Sequence, residues 1–250
     1  MRLTPLVAAG GLVLGLGLAL APAATAAEPD PCLIILGADA ATLTGTPGND
    51  TLVGTSGPDV ILGGAGNDTI SGLGGDDRIC GGAGNDTITA GDGNDFVIGD
   101  TAESILLGNP AGMNVPGGAD AIDGGSGDDQ ILGEGGNDTL RAGNGDDFAT
   151  GQMGTDDVSG GNGDDTLFGG PANDVVRGEN GNDIVVGNFG NDTLSGGRGD
   201  DMMTGDNPGP GLNVPSSDVC NGDQGADFAV EGSCEVAVAI ETFGPFPEEG

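Results

Sequence analysis

Gly63-Gly64-Ala65-Gly66-Asn67-Asp68-Thr69-Ile70-Ser71 returns at residues 81–89 as Gly-Gly-Ala-Gly-Asn-Asp-Thr-Ile-Thr. Written outward from it in blocks of nine, the chain gives six repeats over 45–98, ten over 115–204 and two over 213–230. Segments 99–114 and 205–212 read as loop insertions. Position six is Asp in all 18 blocks: Asp50, Asp59, Asp68, Asp77, Asp86, Asp95, Asp120, Asp129, Asp138, Asp147, Asp156, Asp165, Asp174, Asp183, Asp192, Asp201, Asp218 and Asp227. Position four is Gly except at Ala172 and Ser216, and position eight is apolar throughout, with Ala149, Cys220 and Ala229 as its smallest members. A fixed short period of this kind is the signature of a solenoid.

Each block pairs a tight glycine turn (positions one to six) with a very short strand whose position-eight side chain faces inward. One unit buries almost nothing, whereas stacked units bury a continuous aliphatic column. Two blocks make one flattened coil. The 18 repeats predict an all-β roll of about nine coils, roughly 43 Å long at the strand spacing.

Stacking also sets Asp over Asp about 5 Å apart. Two bare carboxylates at that distance repel by about 3 kcal/mol at an effective dielectric near 20. The whole chain offers 5 basic residues against 40 acids, a net charge of −35. A bound cation resolves the conflict. Carboxylates plus backbone carbonyls form an all-oxygen site, which suits Ca2+ better than Mg2+ or zinc.

The blocks resemble the GGxGxDxUx nonapeptides of the RTX, or haemolysin-type calcium-binding, family. The resemblance implies a parallel β-roll with each Ca2+ between turns on one side, held by the position-six Asp of repeats i and i+2 and by turn carbonyls. On this sequence it pairs Asp50 with Asp68 and Asp59 with Asp77. The turns at Pro58, Pro171-Ala172 and Pro215-Ser216-Ser217 depart from the pattern. Unbroken runs enclose 12 sites, and 16 if both interruptions loop out, so about 12 to 16 Ca2+ are expected. Some RTX-like ice-binding proteins carry Thr at position three; here that position is never Thr, which disfavours ice binding.

Residues 1–26 read as a secretory signal peptide: Arg2, an apolar run from Leu6 to Leu20, then Ala24-Thr25-Ala26. The run is short for an uncleaved membrane anchor. The mature chain is therefore expected to be secreted, without a membrane span. Residues 27–44 and 231–250 read as terminal caps. In an oxidising compartment four cysteines suggest disulfides. Three pairings are possible, and sequence proximity favours Cys220–Cys234, which leaves Cys32–Cys80.

The absence of Lys and the scarcity of Arg exclude nucleic acid as a direct partner. His, Trp and Tyr are absent, and no nucleophile–base set stands outside the repeats, so no enzyme is expected. The Asn-Asp-Thr triplets at Asn49, Asn67, Asn85, Asn137 and Asn191 match a glycosylation pattern but are also repeat grammar. Outward residues of odd repeats are polar. Those of even repeats are apolar and include Phe96, Leu132, Phe148, Phe168, Ile184, Met202 and Phe228. Such a stripe reads as an interaction face. Its expected cover is a second copy, another partner, or the chain's own segments 105–113 and 236–246. The reading is a secreted, non-enzymatic calcium-binding protein, with a calcium-dependent adhesion or assembly module as the alternative.

Overall fold

The computed structural model describes residues 32, 41–100, 117–205, 217–230, 234, 236–238 and 242–244. The expected signal peptide and the interiors of both insertions lie outside the described residues, as do most of the two terminal caps. Two parallel sheets stack face to face, and successive strands alternate between them. One sheet holds β1 (Leu43–Thr44), β3 (Val60–Ala65), β5 (Arg78–Ala83), β7 (Phe96–Ile98), β9 (Gln130–Leu132), β11 (Phe148–Thr150), β13 (Thr166–Pro171), β15 (Ile184–Phe189), β17 (Met202–Thr204), β19 (Phe228–Val230) and β21 (Thr242–Gly244). The other holds β2 (Thr51–Val53), β4 (Thr69–Gly74), β6 (Thr87–Asp92), β8 (Ala121–Ser126), β10 (Thr139–Asn144), β12 (Asp157–Asn162), β14 (Val175–Asn180), β16 (Thr193–Arg198), β18 (Val219–Gln224) and β20 (Val236–Val238). The all-β, parallel β-roll is thus present, and each of the 18 repeats supplies one strand from β2 to β19. Among the described residues no helix is long and apolar enough to cross a membrane.

Many strands run past position nine into positions one to three of the next block. Val60–Ala65 is one, because Gly64 and Ala65 keep register with Gly82 and Ala83 in the coil above. Every position-eight side chain is buried. From Ile61 to Ala229 the exposure is at most 1 %, and Leu52, in the first coil, reaches 9 %. This column is the main hydrophobic core.

Pairing passes straight across both interruptions. β6 pairs with β8 and β7 with β9, then β16 with β18 and β17 with β19. The first break lies two residues further on than the sequence period suggests, and the second at least one residue further on. Gly99, not Val115, fills position one of the seventh repeat: its N–H bonds the Leu132 carbonyl and its own carbonyl accepts from Gly82. Gly205 accepts from Asn188 in the corresponding way. The first turn is therefore cut after position two, and in the sequence Gly99 and Gly205 are each followed by Asp.

Disulfides join Cys32 to Cys80 and Cys220 to Cys234. Cys32 packs with Leu62, Cys80 and Ile98 over the N-terminal part of the even face. The even face is thus covered unevenly. Leu62, Ile98, Val186 and Thr204 are buried, Phe96, Leu132, Phe168, Met202 and Phe228 are half-buried, and Phe148 and Ile184 are 38 % and 37 % exposed. Segment 105–113 lies outside the described residues. Of segment 236–246, the described residues 236–238 and 242–244 do not lie across that face: β20 extends one sheet and β21 the other. The edge groups of β18 and β19 need hydrogen-bond partners, and these strands supply them.

Candidate metal centre

The position-six carboxylates form two continuous columns, one along each edge of the roll. Asp68 to Asp227 are at most 3 % exposed, Asp59 is 7 % exposed and Asp50 is half-buried. From Asp68 onward each Oδ1 accepts the backbone N–H of the Asp one coil below. Asp50 donates to Asp68 at 2.8 Å and Asp138 to Asp156 at 2.8 Å. The ladder crosses the first insertion through Asp86 to Asp120 and the second through Asp192 to Asp218. All 16 pairs expected for an uninterrupted run are therefore stacked. Pro171 and Ala172 leave the Asp156–Asp174–Asp192 ladder intact.

Position five runs a second ladder in the opposite sense. The Asn67 N–H donates to Asn49 Oδ1 at 2.9 Å, and the Asp146 N–H to Asp128 Oδ1 at 3.0 Å. Position-five side chains thus bond the coil above and position-six side chains the coil below. This accounts for the recurrent Asn-Asp and Asp-Asp pairs, and it engages the side chains of the five Asn-Asp-Thr triplets.

The Oδ2 atoms are different. Fifteen of them are buried without a hydrogen-bond partner, from Asp68 through Asp201 and at Asp227. Twelve of them aim at the glycine at position one of their own turn, and in eight of these the carbonyl from the coil above arrives at the same place. A Cβ built on Gly133 would lie 2.5 Å from Asp138 Oδ2 and 2.8 Å from the Gly151 oxygen. Gly99, Gly124 and Gly178 repeat this convergence of one carboxylate and one carbonyl oxygen. Among the described residues no three acidic or cysteine side chains gather as a metal cluster. An ion here would be held by carboxylate oxygens completed by main-chain carbonyls. Orphaned buried oxygens in a cradle that a methyl group would fill suit a hard cation.

Burial pushes these carboxyls up, with like charges adding and backbone N–H donors opposing. Asp120 and Asp174 are pushed up to about 8, Asp129, Asp138 and Asp165 to about 7, and Asp77, Asp86, Asp147, Asp156, Asp183 and Asp201 to about 6. Asp59 moves the other way, because the Thr55 N–H and hydroxyl and the Thr42 hydroxyl all donate to it.

The period alone gives no role to three kinds of residue at position two. Thr46 and Thr55 bond the first two carboxylates. Asp100, 1 % exposed, accepts the Gly118 N–H at 3.0 Å and so ties the two sides of the cut turn. Glu134, 2 % exposed, accepts from Gln152 Nε2 at 3.0 Å. Their signal in the sequence is departure from Gly in that column.

A parallel β-roll whose every turn offers a carboxylate, buried in all but the first, defines a class of repeat protein built around turn-bound cations. The chain belongs to the RTX calcium-binding nonapeptide repeat family, whose model matches residues 44–79, 71–102, 117–149, 150–185 and 177–207. No curated protein matches the chain.

Proposed function

We propose that this is a secreted, non-enzymatic calcium-binding protein, in which about 12 to 16 Ca2+ act structurally and condense an acidic, glycine-rich chain into the roll. The observation that carries this reading is the column of buried, partnerless Oδ2 atoms. At neutral pH such groups oppose folding unless a cation neutralises them. An irregular all-oxygen set favours Ca2+ over Mg2+, and extracellular modules commonly bind at about 0.1–1 mM. The lack of His, Tyr and any nucleophile–base set supports the non-enzymatic part. The Arg2-led apolar segment and the disulfides support export.

The test is far-UV circular dichroism of the mature chain at pH 7.5, titrated with Ca2+ from EDTA and with Mg2+ as control. A coil-to-β transition near millimolar Ca2+ and none with Mg2+ is expected. A spectrum already β-rich in EDTA and indifferent to Ca2+ would remove the folding role of the ion.

A second reading, a calcium-dependent assembly or adhesion module, is favoured by one observation. Phe148 and Ile184 stay exposed in the middle of the even face, and the Phe148 and Phe168 rings lie 5.6 Å apart. Calcium-dependent self-association that is lost in Phe148→Asp with Ile184→Asp would select it.

A further inference from the structure

Position two separates the first coil from the rest of the roll. Thr46 and Thr55 hold it in the first two repeats, and no later repeat of the sequence period has a β-branched residue there except the one with Val214. From Gly64 onward position two is left-handed in most turns, whether the residue is Gly or one of Leu73, Glu134, Gln152, Glu179, Asn188 and Asp223, with φ of 63–80° at the non-glycines. Its N–H then points along the stack, as Gly82 does to the Gly99 carbonyl. A β-branched side chain resists positive φ. Thr46 and Thr55 do not adopt it, and their donors turn inward. The Thr46 N–H and hydroxyl lie 2.6 and 2.8 Å from Asp50 Oδ2, and those of Thr55 lie 2.6 and 2.9 Å from Asp59 Oδ2. The remaining Asp59 oxygen accepts from the Thr42 hydroxyl at 3.0 Å.

The atom left bare in the later turns therefore has two donors here. The cradle is otherwise the same: a Cβ on Gly54 would lie 2.8 Å from Asp59 Oδ2 and 2.7 Å from the Gly72 oxygen. We infer that Thr46 and Thr55 take the place of the cation in the first coil, so that the two turns carrying Asp50 and Asp59 close by hydrogen bonds alone and metal binding begins at Asp68 and Asp77. This rests on the calcium reading above and refines it. Of the 16 stacked pairs, the 14 whose lower member runs from Asp68 to Asp201 have a bare Oδ2, and the two that begin at Asp50 and Asp59 do not. The first coil then acts as a terminal cap that presents a finished, ion-free edge, the role terminal repeats play in solenoids.

The experiment is ion counting by native mass spectrometry of the disulfide-intact chain at saturating Ca2+. Thr46→Gly with Thr55→Gly installs the usual residue of the column and should raise the count by two. Asp59→Asn in the native background should leave the count unchanged, whereas Asp77→Asn should lower it by at least one. An unchanged count in the double glycine variant, or an ion lost on Asp59→Asn, would overturn the inference. A native chain that takes up no Ca2+ at all would instead bring down the calcium reading on which it stands.

Discussion

Position four of the turn shows how far a single residue is constrained. In 14 of the turns its φ is positive, between 100° and 155°. That lies beyond the left-handed well that Asn or Asp tolerate. Its missing Cβ would also strike the position-four carbonyl of the coil below, as at Gly145 against the Gly127 oxygen. Gly145→Ala is therefore expected to lower the stability of the calcium-loaded protein by more than about 2 kcal/mol, since both strain and overlap oppose it. Among the described residues Ala172, at φ 101°, is the one non-glycine in such a conformation at this position. Ala172→Gly should stabilise by roughly 1 kcal/mol. Thermal melts in saturating Ca2+ check both, and an unshifted midpoint for Gly145→Ala would contradict the turn geometry described.

At the scale of the element, the cut turns show that the repeat is defined by its stacking and not by its chain continuity. Gly99 and Asp100 occupy positions one and two, Gly117 and Gly118 positions three and four, and the Asp100 carboxylate bonds Gly118 across the gap. Closing a loop of this size costs roughly 2 kcal/mol, because the entropy grows only with the logarithm of length. Deleting residues 101–116 joins Asp100 to Gly117 and recreates an uninterrupted block. The shortened chain should keep its calcium-dependent β signal, with a melting point no lower than that of the full chain. Loss of the transition would mean that the inserted residues hold the coils together.

At the scale of the molecule, the ordinary Asp value is 3.8, and burial raises eleven column carboxyls to about 6 to 8. Between those values the ion-free roll binds more protons than the unfolded chain. Its stability is then fully present below about pH 4 and is lost as pH rises through the folded-state values. Acid should thus stand in for calcium. In EDTA the chain should be β-rich near pH 4 and unfold as pH passes through 6 to 8, while with Ca2+ it stays folded at pH 7.5 and releases protons on taking up the ion. Ellipticity in EDTA that does not change between pH 4 and 8 would contradict this. At neutral pH the net charge of −35 works in the same direction, since self-repulsion expands an ion-free chain.

Much of this protein is legible in nine letters repeated. The Asp column, the buried aliphatic column and the even–odd sorting of faces follow from period and residue type, because a solenoid places equal positions in equal surroundings. The same logic hides what breaks the period. That Gly99 belongs to the turn after the one it seems to close depends on hydrogen bonds to Leu132 and Gly82, residues distant in sequence. That residues 236–238 and 242–244 extend the sheets, and do not lie across the even face, depends on which strand edges remain unpaired. Sequence alone determined that every turn carries a carboxylate, since Asp is written there 18 times. Tertiary structure decided which of those carboxylates are left bare, because that depends on the backbone angle at position two and on where a neighbouring N–H then points.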